Sequence, residues 1–272
     1  NQIYIMSKTY FLDAPSVGSV EKEYLCQAID GGFVSTFGPY VDQFEDEMSR
    51  YLGVSKSVSV QSGTAAIHMA LHELGIGVGD EVIVPSLTFI ASVNPIVYVG
   101  ATPVFADVDI NTWTLDLIHL EKKITAKTKA IILVHLYGNP CNMAEILKFA
   151  KKHKLFVIED ATESLGSKYD GKPTGCFGDF GCFSFNGNKM MTTGGGGLII
   201  SKSESRLKHI KFLVNQAKEG LFHTEIGFNY RMTNIEASLG LAQLTRLNLF
   251  LETRDEFFEI YTKKLMFNKK IA

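Results

Sequence analysis

Short apolar runs alternate along this chain with stretches in which apolar residues recur every three or four positions. The runs Ser57–Val60, Glu81–Val84, Pro103–Ala106, Ala130–His135, Leu155–Glu159, Phe180–Phe185 and Leu198–Ile200 are rich in Val, Ile, Leu and Phe. Short, nearly continuous apolar runs predict strands covered on both faces. Between them, Thr64–Leu74, Thr88–Val99, Asp116–Ile124 and Asn142–His153 carry helical periodicity. Strands and helices in alternation predict an α/β domain around a mostly parallel, seven-stranded sheet. Two amphipathic stretches, Val20–Ile29 and Tyr40–Leu52, precede this region across the Gly31-Gly32 breaker, and Arg206–Lys218 and Asn234–Leu265 follow it as long helices.

Composition narrows the classes that this pattern allows. The 27 basic and 29 acidic side chains leave a net charge of −2, which removes the electrostatic basis for a dedicated nucleic-acid binder. With 46% hydrophobic and 21% charged residues, the chain reads as a soluble globular protein with a sizeable core. No apolar stretch approaches the roughly 20 residues needed to cross a bilayer. The opening residues, Asn1 to Lys8, lack the basic-then-apolar order of a secretory signal, and Met6 is a candidate natural start. Cys26, Cys141, Cys176 and Cys182 are scattered without a C-x-x-C pair, which predicts free thiols in apolar settings and a cytoplasmic location.

Four clusters fall at predicted strand ends or helix starts, where α/β proteins build their sites. In Gln61-Ser62-Gly63-Thr64-Ala65-Ala66, a glycine permits close backbone approach, helix-start N–H groups point outward and two hydroxyls add donors. That describes a phosphate cradle and equally an ordinary N-cap. Val157-Ile158-Glu159-Asp160 sets carboxylates at the end of a buried strand, for chemistry or for capping. Ser184-Phe185-Asn186-Gly187-Asn188-Lys189 leads through Met190-Met191-Thr192-Thr193 into Gly194–Gly197, and consecutive glycines imply a crowded turn. Lys189 is there either a surface charge or a chemical amine. The fourth cluster, Gly227-Phe228-Asn229-Tyr230-Arg231-Met232, is a polar-aromatic patch before the last helix.

Three of these clusters combine into one chemistry. Pyridoxal phosphate requires a lysine amine for its Schiff base, an acid beside its pyridine nitrogen and donors for its phosphate. A carboxylate near that nitrogen keeps it protonated, because an opposite charge favours the charged form. A P-loop is disfavoured, since no G-x-x-x-x-G-K-[ST] spacing occurs. His68 and His72 have metal-ligand spacing, but without an adjacent Glu or a third ligand they are read as packing or surface residues. Trp113, in a turn beside Asn111-Thr112, is read as packing, and Glu45-Asp46-Glu47 as a solvated helix face.

Taken in order, the motifs resemble those of the DegT/StrS-type nucleotide-sugar aminotransferases, pyridoxal phosphate enzymes of the aspartate-aminotransferase fold. The markers are Ser62-Gly63-Thr64, Gly79-Asp80-Glu81-Val82-Ile83, Pro85-Ser86-Leu87-Thr88-Phe89 and Gly100-Ala101-Thr102-Pro103-Val104. His135-Leu136-Tyr137-Gly138, Glu159-Asp160-Ala161, Phe183-Ser184-Phe185 with Lys189, and Asn229-Tyr230-Arg231-Met232 complete a series from about Gly31 to Leu247.

The resemblance implies a three-layer α/β/α large domain at 1–235, then a linking helix and the start of a truncated C-terminal small domain at 236–272. It implies that Lys189 bonds the cofactor and shuttles the proton, that Asp160 holds the pyridinium and that Phe89 stacks on the ring. Ser62, Gly63, Thr64 and Ser184 would bind the phosphate, and Asn229 would reach the phosphate of the neighbouring subunit, making a homodimer necessary. Arg231 either receives a carboxylate of the amino donor or serves as a surface or capping residue.

Two positions depart from the pattern. Glu163 stands where many relatives carry Gln near the cofactor's phenolic oxygen, which a carboxylate would repel unless protonated or turned aside. Gly195 replaces the Glu of Gly-Glu-Gly-Gly. The implied reaction moves an amino group from an amino acid such as glutamate to a keto sugar nucleotide, by way of pyridoxamine phosphate, for bacterial surface-glycan amino sugars. The Asn186–Lys189 stretch with Thr192-Thr193-Gly194 points to C4 of a UDP-linked 4-keto-6-deoxy-N-acetylhexosamine. Two rivals are a pyridoxal phosphate sugar dehydratase, whose lysine is replaced by histidine, and a non-catalytic protein that kept the fold.

Overall fold

The computed structural model describes residues 14–266, so the opening Asn1 to Lys8 with Met6 lies outside the described residues. The seven apolar runs all become strands: β1 (Ser57–Val60), β2 (Glu81–Pro85), β3 (Thr102–Ala106), β4 (Thr128–Val134), β5 (Phe156–Asp160), β6 (Phe180–Ser184) and β7 (Gly197–Ser201). They form one sheet in the order β1-β7-β6-β5-β4-β2-β3. The ladders from β6 through β5, β4 and β2 to β3 are parallel, and β7 runs antiparallel to both of its neighbours.

Alternate residues of each strand feed two opposite cores, as a pleat dictates. On one face Val82, Val84, Ala130, Ile132, Ile158 and Cys182 pack with α3 (Gly63–Glu73), α4 (Asn94–Tyr98) and residues of α7 (Glu204–Leu213). On the other, Ile83, Ile131, Leu133 and Val157 meet α6 (Met143–His153) and Leu120 of α5 (Leu117–Glu121). Further along that face Phe183, Leu198 and Ile200 meet α2 (Pro39–Leu52) and α8 (Asn234–Leu244), with α1 (Ser19–Asp30) packed outside α8. Each large side chain so buried contributes roughly 1.5–3 kcal/mol. Helices on both faces of a mostly parallel sheet give the expected three layers.

Local signals set most boundaries. Pro39 opens α2, and Gly53 closes it in the left-handed conformation at φ 67°. Thr233 and Glu236 form a capping box at the start of α8.

Four helices depart from the periodicity. The expected helix Thr88–Val99 is a 3₁₀ turn, Ile90–Ser92, followed by the five-residue α4, with Pro95 in its first turn. The expected Asp116–Ile124 shortens to α5, capped by Asp116. Arg206–Lys218 begins at Glu204 and ends at Leu213, because Gln216 and Ala217 adopt left-handed conformations at φ 65° and 50°.

Asn234–Leu265 divides into α8 and α9 (Leu247–Leu265) at Thr245 and Arg246. Arg246 is drawn there onto buried Glu21 at 2.8 Å. Helix α8 is built into the large body through Ala237, Leu241 and Ala242, whereas α9 buries only Leu247. Among the described residues no helix is long and apolar enough to cross a membrane.

Three smaller readings also change. Glu45 is buried, not solvated, and accepts from the Ser59 N–H and hydroxyl at 2.9 Å each. Lys211 reaches the same carboxylate at 2.7 Å; burial acts to lower the lysine pKa, but Glu45 and Asp42 outweigh it and raise it. Trp113 is half exposed in a left-handed turn, and Cys26 is exposed while the other three cysteines are buried. His68 does pack: it is buried beside Tyr98 and Phe228, with Nδ1 3.2 Å from the Tyr230 hydroxyl.

Candidate active site

The carboxyl ends of β1, β5 and β6 open on one cleft of about 210 Å³, lined by Ser62, Gly63, Thr64, Phe89, Thr162, Glu163, Ser184 and Lys189 among others. The shared direction of these strand ends brings the segments around Ser62, Phe89, Thr162 and Ser184–Lys189 to one point, without the Gly227–Met232 cluster.

At one end of the cleft α3 begins. The Ser62 hydroxyl accepts from the Ala65 N–H at 3.0 Å and so caps the helix. The next two N–H groups, of Gly63 and Thr64, have no acceptor among the described residues and remain available to an anion at a helix start. A Cβ on Gly63 would fall 2.8 Å from Thr162 Cγ2 and 3.0 Å from Ser184 Cβ, so this wall has no room for a side chain. The glycine run closes in from β7: a Cβ on Gly197 would lie 2.5 Å from the Ser62 carbonyl, the crowding that consecutive glycines imply. A cap and free helix-start N–H groups are therefore both present, on different atoms of the same segment.

Behind the cleft, Asp160 ends β5 and is buried. Its Oδ1 accepts from the Thr162 N–H at 3.1 Å and its Oδ2 from the Ser92 hydroxyl at 2.6 Å. Two donors leave part of its acceptor capacity free. Cys182 lies in the same buried layer, where burial above all, then the Asp160 and Glu159 carboxylates, pushes its thiol pKa well up. It is an inert filler.

Lys189 projects from the turn after β6 with its side chain 18% exposed. Its Nζ lies 3.6 Å from Glu163 Oε1, and Glu163 Oε2 accepts from the Tyr137 N–H at 2.9 Å. Tyr137 holds a left-handed φ of 51°, an uncommon conformation for a non-glycine residue. The Glu163 carboxylate is thus turned onto the lysine and pinned there by backbone. Phe89, 72% exposed, stands at the rim where the 3₁₀ turn begins.

Asn229 and Arg231 do not line this cleft. Asn229 is exposed and bridges to Asn215, while Arg231 bridges to Val60 on the sheet edge. Ser92 and Thr162 stand outside the motifs of the sequence, and Thr88 and Tyr137 lie within motifs without a role of their own. Only the first carried a usable signal, a hydroxyl one 3₁₀ turn after the aromatic Phe89.

Residues 15–271 match the DegT/DnrJ/EryC1/StrS aminotransferase family. The chain is 47% identical over 254 residues to a GDP-perosamine synthase of Escherichia coli O157:H7, covering 92% of this chain and 70% of that protein. A second GDP-perosamine synthase, from Caulobacter vibrioides, is 45% identical over 255 residues, 93% of this chain and 69% of its own length. Among solved structures, a putative sugar aminotransferase of Streptococcus pneumoniae in its pyridoxamine phosphate form superposes with a TM-score of 0.89 at 31% identity, covering 94% of this chain and 70% of that one. Sequence, fold and cleft agree: the chain belongs to the DegT/DnrJ/EryC1/StrS family of pyridoxal phosphate-dependent sugar aminotransferases.

Proposed function

We propose that this cleft transfers an amino group between an amino acid and a keto sugar nucleotide. One observation carries the reading: a single cleft holds an amine and unpaired helix-start N–H groups, with a buried carboxylate of spare acceptor capacity directly behind its Thr162 wall. That donor set fits pyridoxal phosphate, whose ends carry a phosphate and a ring nitrogen. When bound, the cofactor supplies an electron sink for the carbanion left as the donor's α-proton departs.

The chain's own residues divide the remaining work. Gly63 and Thr64 N–H groups with the Ser62 and Ser184 hydroxyls hold the phosphate, and Phe89 covers the ring face. Asp160 keeps a proton on the ring nitrogen. Lys189 Nζ anchors the cofactor, then takes the proton from the donor carbon and delivers it where it is next needed. Glu163 faces the lysine. Asn229, exposed and outside this cleft, is assigned to the phosphate in the matching cleft of a second copy, a role that requires a homodimer. Arg231, at the sheet edge outside this cleft, either receives the donor carboxylate or serves as a surface or capping residue. The cofactor-binding body continues through α8, and α9 leads toward a smaller second domain. The scattered cysteines, without a C-x-x-C pair, support a cytoplasmic enzyme.

Two acceptors follow from different observations. The Asn186–Lys189 stretch favours C4 of a UDP-linked 4-keto-6-deoxy-N-acetylhexosamine. The two GDP-perosamine synthases among the relatives favour a GDP-linked keto sugar. Reconstituted protein should gain a visible absorbance band that glutamate converts to the amine form. UDP- and GDP-linked 4-keto and 3-keto sugars then each receive one turnover, and the ketone that restores the band is the substrate. A protein that forms no band, or whose band ignores every amino donor, refutes the proposal.

A further inference from the structure

Asp160 is reached by a chain of two hydroxyls. The Ser92 hydroxyl lies 2.6 Å from Asp160 Oδ2, and the Thr88 hydroxyl lies 2.7 Å from Ser92 Oγ. Ser92 is 1% exposed, so water does not compete for it. A serine hydroxyl has one proton. The carboxylate can only accept, so that proton goes to Asp160, and Thr88 must in turn donate to Ser92. The direction is then Thr88 to Ser92 to Asp160, since the 2.7 Å approach of the Thr88 hydroxyl to Ser92 is much shorter than its 3.4 Å approach to the Phe89 carbonyl.

The two hydroxyls come from one short segment, the turn that also presents Phe89 at the rim of the cleft. Chains of hydrogen bonds polarise one another and strengthen together. A carboxylate that receives such a chain is stabilised in its charged form. The segment that offers the ring-stacking aromatic thus also controls the charge set against the ring nitrogen.

From this geometry we infer that Ser92, supported by Thr88, is a positioning residue that tunes how strongly Asp160 holds the cofactor's ring nitrogen. The inference rests on the pyridoxal phosphate reading above and adds to it a relay outside the cleft lining. Without the relay, Asp160 loses the donor on Oδ2 that fixes how its carboxylate faces the ring nitrogen. The cofactor is then held less tightly and its electron withdrawal is weaker.

The test compares wild type with Ser92→Ala, Ser92→Thr and Thr88→Val. Pyridoxal phosphate is titrated into cofactor-free protein, and both the dissociation constant and the position of the visible band are read. Ser92→Ala is expected to weaken binding about tenfold and to shift the band. Thr88→Val, at a half-buried position where folding is not at stake, should move both in the same direction by about two- to threefold in affinity. Ser92→Thr keeps the hydroxyl and should restore the band.

The relay is overturned if Ser92→Ala and Thr88→Val match wild type in both readouts. Weaker binding with an unshifted band that Ser92→Thr fails to restore also overturns it, since that is loss of packing. Wild-type protein that takes up no pyridoxal phosphate removes the functional reading and this inference together. Normal wild-type uptake with unaltered variants removes the relay alone.

Discussion

Glu159 and Asp160 are adjacent carboxylates on one strand, both buried, and they do opposite things. Glu159 is saturated. Its Oε1 accepts from the Phe177 and Gly178 N–H groups at 2.6 Å each, and its Oε2 from the Gly175 N–H at 2.8 Å and from His135 Nε2 at 3.0 Å. His135 Nδ1 accepts from the Cys141 N–H at 3.1 Å, which leaves Nε2 as the protonated nitrogen that donates. Asp160, on the opposite face of the pleat, has two donors and adjoins the cleft. A buried charge whose lone pairs are all used serves the fold, because any further ligand would have to displace a bond already made. One with capacity left over can serve chemistry.

The sharpest break in this comparison is Asp160→Asn, which keeps shape and removes charge. Turnover with amino donor and keto sugar should fall by on the order of a thousandfold, with the unfolding midpoint near wild type. Glu159→Gln should do the reverse. It points an amide donor at backbone N–H groups and should lose about 3 kcal/mol in denaturant unfolding, while folded protein keeps a wild-type cofactor spectrum. If the two substitutions exchange effects, the division between fold and chemistry is wrong.

Gly63→Ala sharpens the contrast from the cleft side. The added Cβ meets Thr162 and Ser184, so phosphate and pyridoxal phosphate affinity should drop together by about tenfold, read by titration.

The smallest effect is expected at the surface, where Glu73 pairs with His209 at 2.6 Å and Glu225 takes the other ring nitrogen at 3.1 Å. Burial acts to lower the histidine pKa, but the two glutamates outweigh it and raise it. Its contribution is then fully present below the unfolded value of about 6.5 and is lost as pH rises through the raised folded value. His209→Gln should flatten the stability profile in that window. A profile with unchanged slope there counts against the triad.

Much of this was legible in order along the chain. The seven strands follow from apolar runs, and Gly63, Asp160, Ser184 and Lys189 follow from their places at the carboxyl ends of strands or in the turns after them. Glu45 was misread because Asp46 and Glu47 beside it are the residues that face outward; one helix turn decides which of three acids points inward. The long helix Asn234–Leu265 kept its periodicity across Thr245 and Arg246, and only the pull of Glu21, far away in sequence, breaks it there. The N–H donors to Glu159 need the Gly175–Gly178 segment folded back against Gly181 of β6, which spacing alone does not announce.

The amino-acid sequence by itself determined the alternation of strands and helices and which chemical groups stand at strand ends, because those depend on repeats of two and of about 3.6 residues within one segment. Tertiary structure alone decided that Ser92 meets Asp160 and that Glu163 turns onto Lys189. Those contacts join segments distant in sequence, and they depend on strand order and on left-handed turns such as Tyr137. Local periodicity carries no information about either.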